Sequence, residues 1–295
     1  MERLLQTLVG GVTAGAVYAI VAVSLTLVFN VSGVLNLSTA EFAVLAALGT
    51  IALYSGAHVN LVLSVLIVLA LAFVGGAILH EVAAGRVSRK GPSLSVVMMI
   101  TLGMSLLLRG VAQLAWGTTV YSLRSFSGTR PVVVGGVAIP TQTFWVIGIV
   151  GLLSLGLWLF LTRTLMGKAF ISCTENPAAA SLMGVDTKRV TRLTFAIGGL
   201  IAALAGVVIA PITFMTYDSG LSLLLNGFVA AAIGGLGKST GALVGGLFVG
   251  VAQALVAGYL STTYEPAIVL GALLAVLIVR PGGLLGSSVD VALRA

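Results

Sequence analysis

The residue types that could do chemistry in this chain are few, and the first is a carboxylate placed inside an otherwise apolar run. The stretch Val34 to Tyr54 opens VLNLSTAEF, so Asn36, Ser38, Thr39 and Glu41 precede an uninterrupted apolar continuation that begins at Phe42. A carboxyl group at membrane depth is costly and is kept where it faces a cavity or a partner. Glu41 therefore has two readings: it lines a solute pathway, or it is tied to a neighbouring helix. A helix broken near Asn36 would bare backbone groups toward such a pathway. Thr101 and Ser105 stand four residues apart on one helix face. Either they line the same route or their hydroxyls bond back to their own helix. Asn226 is the further polar candidate. It precedes FVAAAIGG (228–235), an echo of FAVLAALG (42–49) beside Glu41. Discontinuous segments at matching places in two halves point to a transport pathway.

Other chemistries lack their parts. No Ser/His/Asp or Cys/His constellation occurs, and the two histidines, His58 and His80, have no ligand partner at metal-binding spacing. The single cysteine, Cys173, excludes an internal disulfide. Gly237-Lys238-Ser239-Thr240 imitates the end of a phosphate-binding loop, but Ala232 stands where that pattern needs glycine, and a membrane-length apolar run follows. A tight turn carrying one positive charge is the reading instead.

The elements that must position these residues are membrane helices. Hydrophobic residues make up 59% of the 295 and charged residues 8%, with a mean hydropathy of +1.18. Soluble domains carry about 25% charged residues. The apolar runs are continuous rather than alternating, which excludes a barrel. Glycine, 38 of 295, suits close helix packing in lipid. The expected fold is all-α: a polytopic integral membrane protein of about eight or nine transmembrane helices, with short or broken segments near 34–54 and 221–236. Leu8 to Phe29 reads as an uncleaved first span, with a packing face at Gly11 and Gly15, and Gly241/Gly245 and Gly246/Gly250 repeat that step in the span Gly241 to Leu260. Val132–Val134 and Val137–Ile139, around Gly135-Gly136, suggest a small external hairpin. Arg109, within the fourth span, is expected to reach the outer interface rather than Glu41. The net charge of +7 lies in loops, where it sets topology and gives no nucleic-acid signal. Arg86, Arg89 and Lys90 mark one internal loop, and counting spans from there puts the N-terminus outside.

The central loop, 162–192, is the longest densely basic polar insert. Arg163, Lys168, Lys188, Arg189 and Arg192 oppose Glu175 and Asp186, so it belongs on the cytoplasmic side. Its middle has the grammar of a short helix: Asn176 as cap, Pro177 at the first position, alanines after it, and Gly184 as a left-handed stop. It is either a capped connector or a peg for a cytoplasmic partner.

Several stretches together resemble a known family: GVTAGAVYAIVAVSLTLVF, GVLNLSTAEFAVLAALGT, ITLGMSLLL, GKAFISCTENPAAASLMGVD, FAIGGLIAALAGVV, AAIGGLGKSTGALVGGLFVG and YEPAIVLGALLAVLIVRPGGLLG. The resemblance is to permease subunits of Liv-type branched-chain amino-acid ABC importers, also called the hydrophobic amino-acid uptake family. It covers nearly the whole chain, which would then be one permease domain, 1–295, in the bacterial cytoplasmic (inner) membrane. The resemblance implies a pathway shared with a second homologous permease and two ATP-binding subunits beneath it. A periplasmic or lipid-anchored solute-binding protein would deliver the solute. ATP and magnesium would belong to the ATPases, with no cofactor or metal in this chain and no enzymatic activity of its own. It implies ATPase coupling through Glu175, Asn176, Pro177, Ala179, Ala180 and Gly184, with Ala178 where importers more broadly have glutamate. It also brings Asn36, Glu41 and Phe42 into the solute-facing stretch, where Thr39-Ala40 replaces the family's common His-Gly. That departure leaves two substrate classes open: branched-chain or related amino acids, and urea, short amides or other small acids. A stand-alone ion-coupled carrier with Glu41 as its proton site is the alternative from outside the family.

Overall fold

The computed structural model describes residues 2–85, 94–128, 130–134 and 136–285. The basic residues Arg86, Arg89 and Lys90, and Gly135 of the hairpin turn, lie outside them. Among the described residues eight helices are long and apolar enough to cross a membrane, and a ninth, of 16 residues, is shorter. The α-helices in chain order, including the two short ones α6 and α7 of the central loop, are α1 (Glu2–Ser32), α2 (Thr39–Ile51), α3 (Leu61–His80), α4 (Leu94–Trp116), α5 (Thr141–Arg163), α6 (Leu165–Glu175), α7 (Pro177–Leu182), α8 (Thr187–Ile209), α9 (Ser219–Gly234), α10 (Ser239–Tyr259) and α11 (Glu265–Val279). The expected hairpin is present as β1 (Val132–Val134) paired antiparallel with β2 (Val137–Ile139), in the register Val132 to Ile139. Gly136 takes φ +83 in its turn.

The bundle is built around α1, α8, α9 and α10, with α2 laid against α8. Lipid tails are as apolar as leucine, so helices associate in a membrane through close packing of small residues. The expected glycine steps supply it. A β-carbon on Gly15 would lie 2.8 Å from the Gly246 carbonyl oxygen, so α1 and α10 touch backbone to backbone. Gly206 of α8 sits directly on the Ala43 carbonyl of α2, and a β-carbon on Gly199 would lie 2.7 Å from the Ala72 carbonyl oxygen of α3. By contrast α3, α4, α5 and α11 bury only their inner faces and turn leucine-rich surfaces outward.

Charged contacts separate the two ends of the bundle. At one end Arg192 meets Glu81 at 3.4 Å, Asn30 donates to Gly237 O at 2.8 Å, and Lys238 reaches Leu285 O at 2.9 Å. At the other, Arg3 meets the Gly258 carbonyl, Tyr121 pairs with Met215, and Arg109 approaches Asp218 at 3.9 Å while lying over the Tyr217 ring. Arg109 thus pairs with Asp218, the residue before α9, and its charge also acts on Glu41 close by, the partner the sequence had set aside.

The segment after α11 folds back onto α9. Leu284 N–H donates to Ile233 O at 2.7 Å and Leu285 N–H to Gly234 O at 3.2 Å. These bonds satisfy carbonyls that the end of α9 leaves without a helical partner. Gly283, at φ +80, makes the approach possible, because a side chain there would strike Gly235 and the Ala232 carbonyl.

Candidate functional site

The candidate pathway begins where the chain stops being helical. Residues 33–38 are irregular, and Asn36 and Ser38 within them are buried. Such backbone survives at membrane depth only if its polar groups find partners inside the protein. Asn36 provides them. Its side-chain oxygen accepts from Ser38 Oγ at 2.7 Å and from Ser38 N–H at 3.2 Å, while its carbonyl accepts from the Thr39 hydroxyl at 2.8 Å. The Asn36 side chain therefore builds the entrance to α2, and Thr39 is spent on the same turn. The Thr39-Ala40 departure is absorbed locally.

Glu41 lies in the first turn of α2 and is 5% exposed. Ser105 of α4 donates to its Oε1 at 3.1 Å. On its other side stands Gly220 of α9, where a β-carbon would meet Glu41 Oε2 at 2.7 Å. The carboxyl group thus joins three helices. It also lies beside the N-terminal turn of α9, whose free amide groups and dipole favour negative charge. The two short helices that share the sequence echo meet at this carboxyl.

The remaining pathway candidates do not converge on it. Thr101 is buried and bonds back to Met98 O at 2.9 Å, so of the serine–threonine pair only Ser105 reaches across. Phe42 packs with Val68, Ala72 and Phe195 between α2, α3 and α8, its ring covering Gly75. Asn226 accepts from Gln253 Nε2 of α10 at 3.1 Å and also interacts with Tyr18 of α1. It is six residues past Gly220, roughly 120° round α9 at 100° per residue. Tyr18, with Thr13, Thr143 and Thr213, lines a recess of about 210 Å³ near the hairpin. Thr13 and Thr143 face each other there at 3.1 Å. Gly220, Gln253 and Tyr18 escaped sequence reasoning, because a glycine contact and two cross-helix partners leave no periodic trace.

The central loop folds as its residues dictate. The Asn176 side chain accepts from Ala179 N–H at 3.0 Å, Pro177 opens α7, and Gly184 takes φ +84 to end it. Asp186 then caps α8 by accepting from Arg189 N–H at 3.1 Å. Ala180 is 4% exposed and belongs to the same buried cluster as Phe170, Cys173 and Val190. It anchors α7 to the body of the protein, while Glu175, Asn176, Pro177, Ala179 and Gly184 are exposed. The residues that project furthest are two that the sequence did not single out: Leu182, 89% exposed, and Met183, 85% exposed.

A family model described as "Branched-chain amino acid transport system / permease component" matches residues 7–279. The chain is 29% identical to the high-affinity branched-chain amino acid transport system permease protein LivH of Escherichia coli K12, over 96% of this chain and 95% of that protein. It is 29% identical, with the same coverage, to the corresponding permease protein BraD of Pseudomonas aeruginosa. Similarity extends to the ribose import permease protein RbsC of Escherichia coli K12, 30% identical over 80% of this chain and 73% of that one. Among solved structures, PsaBC from Streptococcus pneumoniae in complex with Fab shares the fold, with a TM-score of 0.51 at 16% identity, covering 96% of this chain and 93% of that one. With residues 7–279 matched, the chain belongs to the permease component family of branched-chain amino acid transport systems.

Proposed function

We propose that this permease carries a branched-chain or related amino acid inward and is driven by ATP-binding subunits seated on α6 and α7. One observation carries the reading. The end of α7 and the residue after it hold Leu182 and Met183, 89% and 85% exposed, out on a basic, capped, polar loop. Nothing in the monomer rewards that exposure, whereas an apolar tip on a rigid support suits a groove in a soluble partner. The basic charge of the same loop favours the cytoplasmic side, so the α7 end is inward and the hairpin end outward.

Amino-acid cargo is favoured by Glu41. A carboxyl that accepts one bond from Ser105 has acceptor capacity to spare. When α2, α4 and α9 separate in the transport cycle, it can meet an ammonium group, which amino acids carry and sugars lack. Asn36 and Phe42 act by holding α2 in place, Thr101 by packing α4, and Asn226 by tying α9 to α10. The second permease and the solute-binding protein complete the assembly.

The test is copurification followed by reconstitution. The chain expressed with its genomic neighbours should bring down ATP-binding subunits in stoichiometric amount. In liposomes the assembly should take up leucine, isoleucine or valine only with ATP inside the compartment that the α7 end faces. Uptake by the chain alone without ATP would overturn the reading. ATP-driven uptake confined to ribose, urea or amides would overturn only the cargo.

A further inference from the structure

A groove of about 700 Å³ runs between α3 and α8 at the α7 end of the bundle. Its walls are Val74, Ala77 and Ile78 from α3 and Leu193 and Ala196 from α8, and its mouth is formed by Glu81 and Arg192. Val74 and Ile78 are exposed, and so are Leu66 and Leu71 further along α3. From Val82 to Phe73 the groove follows α3 for about 13 Å at 1.5 Å per residue. That is close to the hydrocarbon depth of one leaflet, about 15 Å. A charged mouth held at headgroup level would put the apolar walls at acyl-chain level.

The mouth is not simply basic. Arg192 Nη1 and Glu81 Oε1 lie 3.4 Å apart and both side chains are half-exposed. A guanidinium binds a phosphate through paired N–H donors. An adjacent carboxylate repels a headgroup of net negative charge but accepts hydrogen bonds from a primary ammonium. An ethanolamine arm is short enough to let phosphate and ammonium reach this pair together. A choline headgroup carries the same charge but has no N–H to donate, and a glycerol headgroup leaves Glu81 facing a net negative charge.

We propose that the α3–α8 groove is a binding site for phosphatidylethanolamine of the leaflet at the α7 end, with its phosphate on Arg192, its ammonium on Glu81 and one acyl chain along Val74 and Ile78. The chemistry of the site stands on the groove itself, and only the leaflet rests on the sidedness proposed above. Arg192 lies six residues past Asp186, the cap that joins the central loop to α8. A lipid held there clamps α3 to the root of that loop.

The test is native mass spectrometry of the purified chain exchanged into mixed micelles with equimolar phosphatidylethanolamine, phosphatidylcholine and phosphatidylglycerol of matched chains. Wild type should retain phosphatidylethanolamine at least about tenfold over either competitor. Glu81→Gln should bring phosphatidylethanolamine and phosphatidylcholine close to parity, and Arg192→Gln should lower retention of all three. Because those changes also break a helix–helix ion pair, Val74→Trp serves as a second variant. It fills the groove from an exposed apolar position, leaves the pair intact, and should abolish retention. Equal retention of the three lipids by wild type, or an unchanged preference in Glu81→Gln, would overturn the proposal. So would a disulfide from Val74→Cys to another permease subunit in native membranes, whether a second copy of this chain or its homologous partner, since the groove would then be a subunit interface.

Discussion

Replacing Leu182 with serine separates a docking tip from a structural helix. The side chain is 89% exposed in the isolated permease, so its removal forfeits almost no burial there. α7 keeps its Asn176 cap, its proline and its Gly184 stop. The melting temperature of the purified permease in detergent should therefore stay within about 1 °C, as for surface changes of under about 0.5 kcal/mol. If the side chain fills a groove in an ATP-binding subunit, burying it contributes roughly 1.5–3 kcal/mol to the complex. At 1.4 kcal/mol per decade its loss weakens ATPase binding about 10- to 100-fold. Titration of ATP-binding subunits onto immobilised permease in nanodiscs reads that directly. ATP-driven uptake should fall in parallel and recover when the subunits are supplied in excess. Ala180→Glu provides the contrast. It forces a charge into the cluster around Phe170 and Val190, so it should lower the melting temperature of the permease itself. Undiminished ATPase affinity in Leu182→Ser would refute the docking role of the tip, and so would a loss of uptake that excess subunits do not restore.

Other expectations concern the membrane interior. Gly206→Val places methyl groups on the Ala43 carbonyl and should destabilise the permease by about 1–3 kcal/mol or more. Thermal unfolding in detergent checks it, and a melting temperature equal to wild type would deny the α2–α8 contact. Ser105→Ala removes the donor to Glu41 and should reduce uptake by roughly tenfold, using about 1.5 kcal/mol for a bond to a charged acceptor. Ser105→Thr should retain most of the activity, and a Ser105→Ala transporter with normal uptake would leave that bond without a role. Cys173, on α6 outside the membrane spans, is 2% exposed, and burial pushes its thiol above the ordinary range. Less thiolate then exists at neutral pH than in a free cysteine, so maleimide labelling should be slow at pH 7 and keep rising past pH 9. Labelling as fast as that of a solvent-exposed cysteine would show that α6 and α7 do not pack as described.

Much of this architecture was legible because the relevant signals are local. Asn176, Pro177 and Gly184 announce α7 through caps acting within three residues, and the Val132–Ile139 hairpin needs only its glycine turn. The break before Thr39 follows from polar residues that no membrane helix would carry unaided. What stayed hidden depends on which helices become neighbours. The glycine steps on α1 and α10 were visible as packing faces, but nothing along the chain said that they face each other. Ala180 matched a docking motif although its methyl group turns inward, and Leu182 and Met183 passed as ordinary apolar residues. Glu41 showed that it needed a partner, and only the fold identifies Ser105 and the close contact at Gly220.

The bonds from Leu284 and Leu285 to Ile233 and Gly234 have a consequence for how the molecule is made. Translation delivers α9 well before the amides that finish it, with α10 and α11 still to be synthesised in between. Until they arrive, α9 waits in the translocon or the lipid with bare carbonyls at its tip, a state that favours delay over early commitment. A chain truncated before Pro281 and released from the ribosome should therefore be more open to quality-control proteolysis near α9 than the full-length chain. Biogenesis of this bundle would be gated by its last described turn rather than by the insertion of its helices.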